Sequence, residues 1–379
     1  MSNNLRDLSD AGVSIWLDDL SRARLTSGSL ADLAADAHVT GVTTNPTIFA
    51  HALADRSPYY SQLTGLAGEP IDFVVRQLTA TDVRSACDVL RSTYIRTRGR
   101  DGRVSIEVEP ALARDSDATV TAALELHHLV HRENVMIKIP ATETGLDAIR
   151  RVTARGVSVN VTLMFSLDRY AQVIDAYISG LEEAMAEERP LAKIHSVASL
   201  FISRIDVEVD RRLDAIGTPD ALALRGRAAI ATARLAYRMF TDAFARKRFR
   251  RLALRGAHRQ RPLWASTSVK NPDYADTRYV TELVANDCVT TLPEKTLLAV
   301  AEHGTITGDT ITSHYAEAEA DLAAIRDVGV DLDDVERTLE QEGIDTFSDA
   351  WDELLASLEK ARDGMPTEHP PATRYQGLL

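Results

Sequence analysis

The stretch Asn134-Val-Met-Ile-Lys-Ile-Pro-Ala-Thr142 sets one lysine inside a run that otherwise reads as a buried strand. Side chains alternate across a strand, so Val135, Ile137 and Ile139 face one way while Met136 and Lys138 face the other. An ammonium inside a packed sheet is costly. The cost falls if the charge is paired, or if the amine sheds its proton and so reaches the state a nucleophile needs. A lysine at a strand end can also bury its stem and let its head reach water. Composition favours chemistry: nearly all basic residues here are arginine, and Lys138 is the first lysine from the N-terminus. Arginine keeps its proton and cannot form a Schiff base with a ketone.

Seven further stretches flank this strand. Ser14 to Asp19 is a short strand ending in two carboxylates, and Val42-Thr-Thr-Asn-Pro46 is stopped by proline with Thr43 and Asn45 on one face. Residues 102–108 alternate Val104, Ile106 and Val108 against Ser105 and Glu107, and residues 156–163 alternate Val157, Val159, Val161 and Leu163 against Ser158, Asn160 and Thr162. Residues 193–199, 262–268 and 287–292 complete the set. Helical periodicity is expected at 20–35, 57–94, 116–133, 144–155 and 168–187, and through a long region from 206 to 255. Eight short strands alternating with helices predict one closed parallel (β/α)8 barrel, the TIM-barrel architecture, spanning residues 1–379. A doubly wound open sheet is the alternative, but no Gly-rich phosphate loop follows the first strand. The expected additions are a helical insertion at about 206–259, helices over 311–325, 332–342 and 347–361 within 305–363, and a loose tail at 364–379. The last helix should pack on the barrel or cover its mouth.

The chain has 379 residues, 45% apolar and 26% charged, which is ordinary for a globular protein. No apolar run approaches the roughly 18 residues of a membrane span. The N-terminus, Met-Ser-Asn-Asn-Leu-Arg-Asp, carries no apolar signal core, which predicts a cytoplasmic protein. Cys87 and Cys288 read as free thiols in a reducing compartment. A formal net charge of -13 argues against nucleic acid and anionic membranes as partners, so an anionic substrate needs a local basic pocket. The cluster Arg246, Lys247, Arg248, Arg250 and Arg251 reads as a solvated helix face. His127 and His131 have the spacing of a zinc pair, but the pattern places no acidic third ligand, and no metal or other cofactor is expected.

The inward faces of the predicted strands converge near the barrel's C-terminal mouth, where active sites of this fold sit. Glu107, Lys138 and Thr162 lie on three successive strands. Lys138 can add to a ketone and lose water to an iminium, an electron sink for breaking the neighbouring carbon–carbon bond. Glu107, alone or through a water held by Thr162, can shuttle the proton, and Asp18 can take the proton of the hydroxyl that becomes a carbonyl. For both carboxylates the plainer alternative is a salt bridge to an arginine. Asn45 and Asn160 suit the hydroxyls of a short polyol, although Asn45 can equally cap the segment after Pro46. Ser199 and Ser268 can do similar work. Arg204 and Lys270 follow the sixth and seventh strands, where this fold often seats a phosphate, and Arg204 can instead pair with Asp206 or Glu208.

These stretches resemble the transaldolases. The resemblance is carried by Ile15-Trp-Leu-Asp-Asp-Leu-Ser-Arg22, Gly41-Val-Thr-Thr-Asn-Pro46, Val104-Ser-Ile-Glu-Val108, Met136-Ile-Lys-Ile-Pro140, Asn160-Val-Thr-Leu-Met-Phe-Ser166, Ser199-Leu-Phe-Ile-Ser-Arg204 and Ser266-Thr-Ser-Val-Lys-Asn271. They run in family order, in the longer form found in actinobacteria. The resemblance implies a cofactor-free class I aldolase barrel of the pentose phosphate pathway. It would move a dihydroxyacetone unit from sedoheptulose 7-phosphate to glyceraldehyde 3-phosphate, giving erythrose 4-phosphate and fructose 6-phosphate. By position it makes Lys138 the Schiff-base residue, Glu107 and Thr162 the water-linked shuttle and Asp18 the acid–base carboxylate. Asn45, Asn160 and Ser199, with Thr43 beside them, would hold the dihydroxyacetone part, and Arg204 a phosphate. Where the family commonly has a second phosphate arginine, this chain aligns Lys270 with Ser268 two residues earlier. A slip of two residues would put Ser266 in the place of Ser268. The rival enzyme, fructose 6-phosphate aldolase, has shorter chains and a tyrosine in place of the glutamate shuttle. A catalytically dead sugar-phosphate sensor is the non-enzymatic alternative. The oligomeric state stays open, a homodimer included.

Overall fold

The structure, a computed structural model, describes residues 3–363, so the predicted tail at 364–379 lies outside the described residues. Its strands are β1 (Ser14–Leu17), β2 (Val39–Val42), β3 (Arg103–Glu107), β4 (Val135–Pro140), β5 (Val159–Met164), β6 (Ser196–Phe201), β7 (Gln260–Ala265) and β8 (Val289–Leu292). All are parallel, and they close in chain order with β8 beside β1. Closure removes both sheet edges. The predicted alternation sorts the faces: Val104, Ile106, Ile137, Ile139 and Val161 are buried under the helical coat. Register then fixes the opposite face. Glu107 is level with Lys138, and Lys138 with Asn160, so three polar side chains from adjacent strands stand side by side inside the barrel.

Several predicted elements differ from those observed. The helix expected at 20–35 is two, Arg22–Thr26 and Ser29–Asp36, separated at Gly28, whose φ of 83° ends the first and begins the second. The region 57–94 likewise divides into shorter helices around Ile71–Val89. Between β6 and β7 stand Ile202–Ile216, Pro219–Leu222, Ala228–Ala245 and Lys247–Ala253. The helix expected at 311–325 begins later, as Tyr315–Asp327.

The helices expected at 332–342 and 347–361 are one continuous helix of 32 residues, Leu332–Asp363. Gly343, in the gap between the two predicted segments, is a contact point instead. A Cβ there would lie 2.8 Å from Leu163 Cδ2, so the glycine lets the helix settle directly on β5. Leu163 has a left-handed φ of 54° at an irregularity in the β5–β6 pairing, an outlier for a bulky residue. Four residues beyond Gly343, one turn along the same helix, Phe347 lines the cavity at the barrel mouth.

Candidate active site at the barrel mouth

Lys138 Nζ reaches its surroundings from the fourth residue of β4 and is 4% exposed. It donates to the Thr44 carbonyl at 2.8 Å and forms an ion pair with Glu107 Oε2 at 3.1 Å. Beyond this ion pair the buried Glu107 Oε2 has no hydrogen-bond partner, and the buried Thr162 Oγ1 on β5 has none at all. Phe347 presents its ring 6.0 Å from the ammonium nitrogen, at the outer reach of a cation–π contact.

Two carboxyls flank the lysine. Burial pushes Glu107 up from its ordinary value, partly offset by Lys138. Asp18, the residue after β1, is pushed up by burial as well, offset by Lys138 and by the hydrogen bond from Thr43. Thr43 Oγ1 donates to Asp18 Oδ1 at 2.7 Å and lies 2.6 Å from Thr291 Oγ1. Neither carboxylate forms a salt bridge to arginine, the plainer alternative of the sequence reading, among the described residues.

Hydroxyl and amide groups line the next sector. Asn160 Nδ2 donates to Ser105 Oγ at 2.9 Å, and Ser199 Oγ donates to Asn160 Oδ1 at 2.8 Å. Asn45 fulfils both of its readings. Its Oδ1 caps helix Pro46–Ala54 by accepting from Ile48 N at 2.9 Å, its neighbour Pro46 takes the first helical position, and Asn45 still lines the cavity.

Arg204 sits in the first turn of Ile202–Ile216, half-buried at the cavity wall. The pairings foreseen for it are taken: Asp206 accepts from Ala229 N and Tyr279 OH, and Glu208 binds Arg211 and Arg212. Among the described residues Arg204 makes no ion pair or hydrogen bond, and burial pushes its guanidinium down against the influence of Glu342. The cavity, about 220 Å³, brings together Asp18, Thr43, Asn45, Lys138, Ser199 and Arg204.

Five predicted residues are not in its lining: Glu107, Asn160 and Thr162, which stand on the strands beside Lys138, and two that lie apart from that group. Ser268 faces Thr296 Oγ1 at 3.4 Å, and Lys270 is exposed. Ser266 lines the cavity instead, with its Oγ 2.8 Å from Ser203 Oγ and its carbonyl accepting from Ser203 N. The cause is backbone geometry: β7 ends at Ala265, and Ser266 adopts a left-handed φ of 53°, so strand alternation does not carry on to Ser268. Sequence reasoning missed Thr44, Thr291, Phe201 and Phe347. Thr44 acts through its carbonyl, which no side-chain pattern reports, and Phe347 arrives from a helix more than 200 positions downstream of Lys138. Among the described residues, no group of three or more His, Cys, Asp or Glu is placed to hold a metal ion.

Residues 15–358 match the family described as Transaldolase/Fructose-6-phosphate aldolase. The chain is 56% identical over 363 residues to "Transaldolase 1" of Streptomyces avermitilis, covering 95% of this chain and 96% of that one. It is 56% identical over 357 residues to the transaldolase of Thermobifida fusca, with 94% and 97% covered. To the transaldolase of Mycolicibacterium smegmatis it is 53% identical over 362 residues, with 95% and 98% covered. A match of this extent, on a barrel whose mouth holds a buried lysine between two carboxyls, makes the chain a member of the transaldolase/fructose-6-phosphate aldolase family.

Proposed function

We propose that the protein is a transaldolase, working through a Schiff base on Lys138. The observation that carries this reading is the buried Lys138 Nζ, 3.1 Å from Glu107 Oε2 and in one cavity with Asp18. The unprotonated amine attacks the ketone carbon of sedoheptulose 7-phosphate, and loss of water gives an iminium. Asp18 takes the proton of the C4 hydroxyl as the C3–C4 bond breaks, releasing erythrose 4-phosphate and leaving the electron pair in an enamine on Lys138. The enamine then adds to glyceraldehyde 3-phosphate, the new alkoxide takes a proton from Asp18, and hydrolysis releases fructose 6-phosphate and the free amine.

Glu107 moves the proton in the dehydration and hydrolysis steps. Its Oε2, met only by Lys138, and the partnerless Thr162 Oγ1 are buried polar atoms of the kind a bridging water satisfies. Asn45, Asn160 and Ser199, with Thr43 behind Asp18, orient the dihydroxyacetone hydroxyls. Arg204 and Ser266 take the phosphate, the first through a guanidinium with no protein partner. Ser268, turned to Thr296, and the exposed Lys270 are not in the cavity lining and take no part in this reading. Among the described residues no helix is long and apolar enough to cross a membrane. Two free, buried cysteines support a reducing, cytoplasmic setting for this chemistry.

Glu107 favours transfer over the family's other activity, since the related aldolase uses a tyrosine there. Borohydride added with fructose 6-phosphate should trap a reduced adduct on Lys138, located by peptide mass mapping, and none in Lys138→Ala. An unmodified Lys138, or an adduct that persists in the variant, would defeat the reading. With erythrose 4-phosphate as acceptor, fructose 6-phosphate should yield sedoheptulose 7-phosphate without free dihydroxyacetone; release of dihydroxyacetone would assign the chain to the aldolases.

A further inference from the structure

The opposite end of the barrel holds another cavity, of about 590 Å³, whose walls carry Arg98, Arg100, Arg103, Arg250, Arg259 and Arg261. In a chain with a formal net charge of -13, six arginines on one concavity demand an explanation. Three of them are compensated. Arg100, Arg259 and Arg261 share Asp287, and Arg261 also meets Asp101 at 3.2 Å. The other three form no ion pair among the described residues. Arg98 and Arg250 are exposed at the rim, and among the described residues their side chains make no hydrogen bond or ion pair. The basic cluster at 246–251 is thereby divided, since Arg248 is held by Asp175 and Glu182 while Arg250 turns to the cavity.

Arg103 is the buried member, 1% exposed at the start of β3. Its Nε donates to the Gly99 carbonyl at 2.7 Å, and Nη1 makes long contacts to Glu133 O and Ser158 Oγ at 3.4 and 3.3 Å. Its Nη2 has no partner. Burial pushes this guanidinium down to about 10, a sign of incomplete compensation. Gly99 has a left-handed φ of 81°, and a Cβ on it would lie 3.2 Å from Arg103 Nη2 and 3.1 Å from His195 Nε2. Both nitrogens therefore look onto the same stretch of backbone, beside the Tyr94 ring, whose centroid lies 5.0 Å from the Arg103 guanidinium carbon. His195 stacks on His258 with ring centroids 4.0 Å apart, and burial beside Arg103 pushes its pKa far down, so the imidazole is neutral.

We propose that this cavity is an anion site, separate from the substrate cavity, that takes a small oligophosphate. Guanidinium forks match phosphate oxygens, and three uncompensated cations call for more than one negative charge. The volume suits a small molecule, and a concave site of this size excludes a duplex or a membrane surface.

The test is calorimetric titration of the full chain with inorganic pyrophosphate at fixed ionic strength. Wild type should bind saturably and melt at a higher temperature when bound. The double variant Arg98→Ala/Arg250→Ala should bind at least about tenfold more weakly, the worth of one charge-assisted hydrogen bond, with transfer activity unchanged. Arg204→Ala, which removes the phosphate arginine of the substrate cavity, should keep the binding that the double variant loses. No saturable heat in wild type, equal affinity in the double variant, or loss confined to Arg204→Ala would each overturn the proposal. A parallel titration with ATP separates the sources: tighter binding than pyrophosphate assigns the site to a nucleoside oligophosphate, and equal or weaker binding to the free oligophosphate.

Discussion

The two ends of the barrel interior spend polar residues in opposite ways. At the amino-terminal end, Asp101 accepts from Ser14 Oγ at 2.8 Å, from Trp16 Nε1 at 3.4 Å and from Arg261 Nη1 at 3.2 Å, while Arg261 also donates to the Cys288 carbonyl. Within this Asp101–Arg261 set charge and donors are matched by protein, which ties β1, β7 and β8 to the segment before β3. At the mouth, Glu107 Oε2, Thr162 Oγ1 and the Arg204 guanidinium are left unfinished. An incomplete polar set inside a protein costs stability, and it persists where a ligand completes it. Among the described residues, Arg103 is the buried cation near the base that follows the rule of the mouth, and it is the centre of the proposed oligophosphate site.

The contrast predicts that polar changes at the mouth cost activity and those at the base cost stability. The largest effect should come from Glu107→Gln, which keeps the shape and removes the proton carrier. Its kcat should fall by about 10²–10⁴ while its melting temperature holds. A variant that keeps wild-type kcat would remove Glu107 from the chemistry. Asp101→Ala should do the reverse. Arg261 is 6% exposed and would lose one carboxylate, so urea unfolding should show a loss of about 3 kcal/mol, toward the low end for a broken buried pair because Asp287 still reaches it. Turnover per folded molecule should be unchanged at 25 °C. A loss of turnover without a loss of stability would erase the distinction between the two ends.

Legibility follows the same geography. Wherever a residue lies within a strand, period-two alternation told its face, which is why Glu107, Lys138, Asn160, Thr162 and Ser199 could be placed from pattern alone. Beyond a strand's last residue the pattern loses its hold. Thr43 and Asn45 follow β2 and reach the cavity through a loop and a helix cap. At the end of β7 the left-handed Ser266 breaks the alternation, so Ser268 and Lys270 were expected where Ser266 stands. The continuous helix Leu332–Asp363 was hidden by Gly343, whose role is a close contact with a residue 180 positions earlier, Leu163. Local propensity cannot report such a contact.

The smallest effect sharpens the comparison most, because it reads the cost of an unfinished site in a property other than turnover. Burial raises the Asp18 carboxyl above its ordinary value of 3.8. Between 3.8 and the raised folded value, the native state holds a proton that the unfolded chain has released. Stability from this group is therefore full below 3.8 and is lost as pH rises through the folded value. Asp18→Asn removes the titration while its amide oxygen can still accept from Thr43 Oγ1. The difference in melting temperature, variant minus wild type, should be near zero in acid and grow to about 1–3 °C by neutral pH. A difference that stays flat with pH, or turns negative on the alkaline side, would mean that attraction to Lys138 outweighs desolvation at the mouth. The carboxylate would then belong with the matched charges of the base.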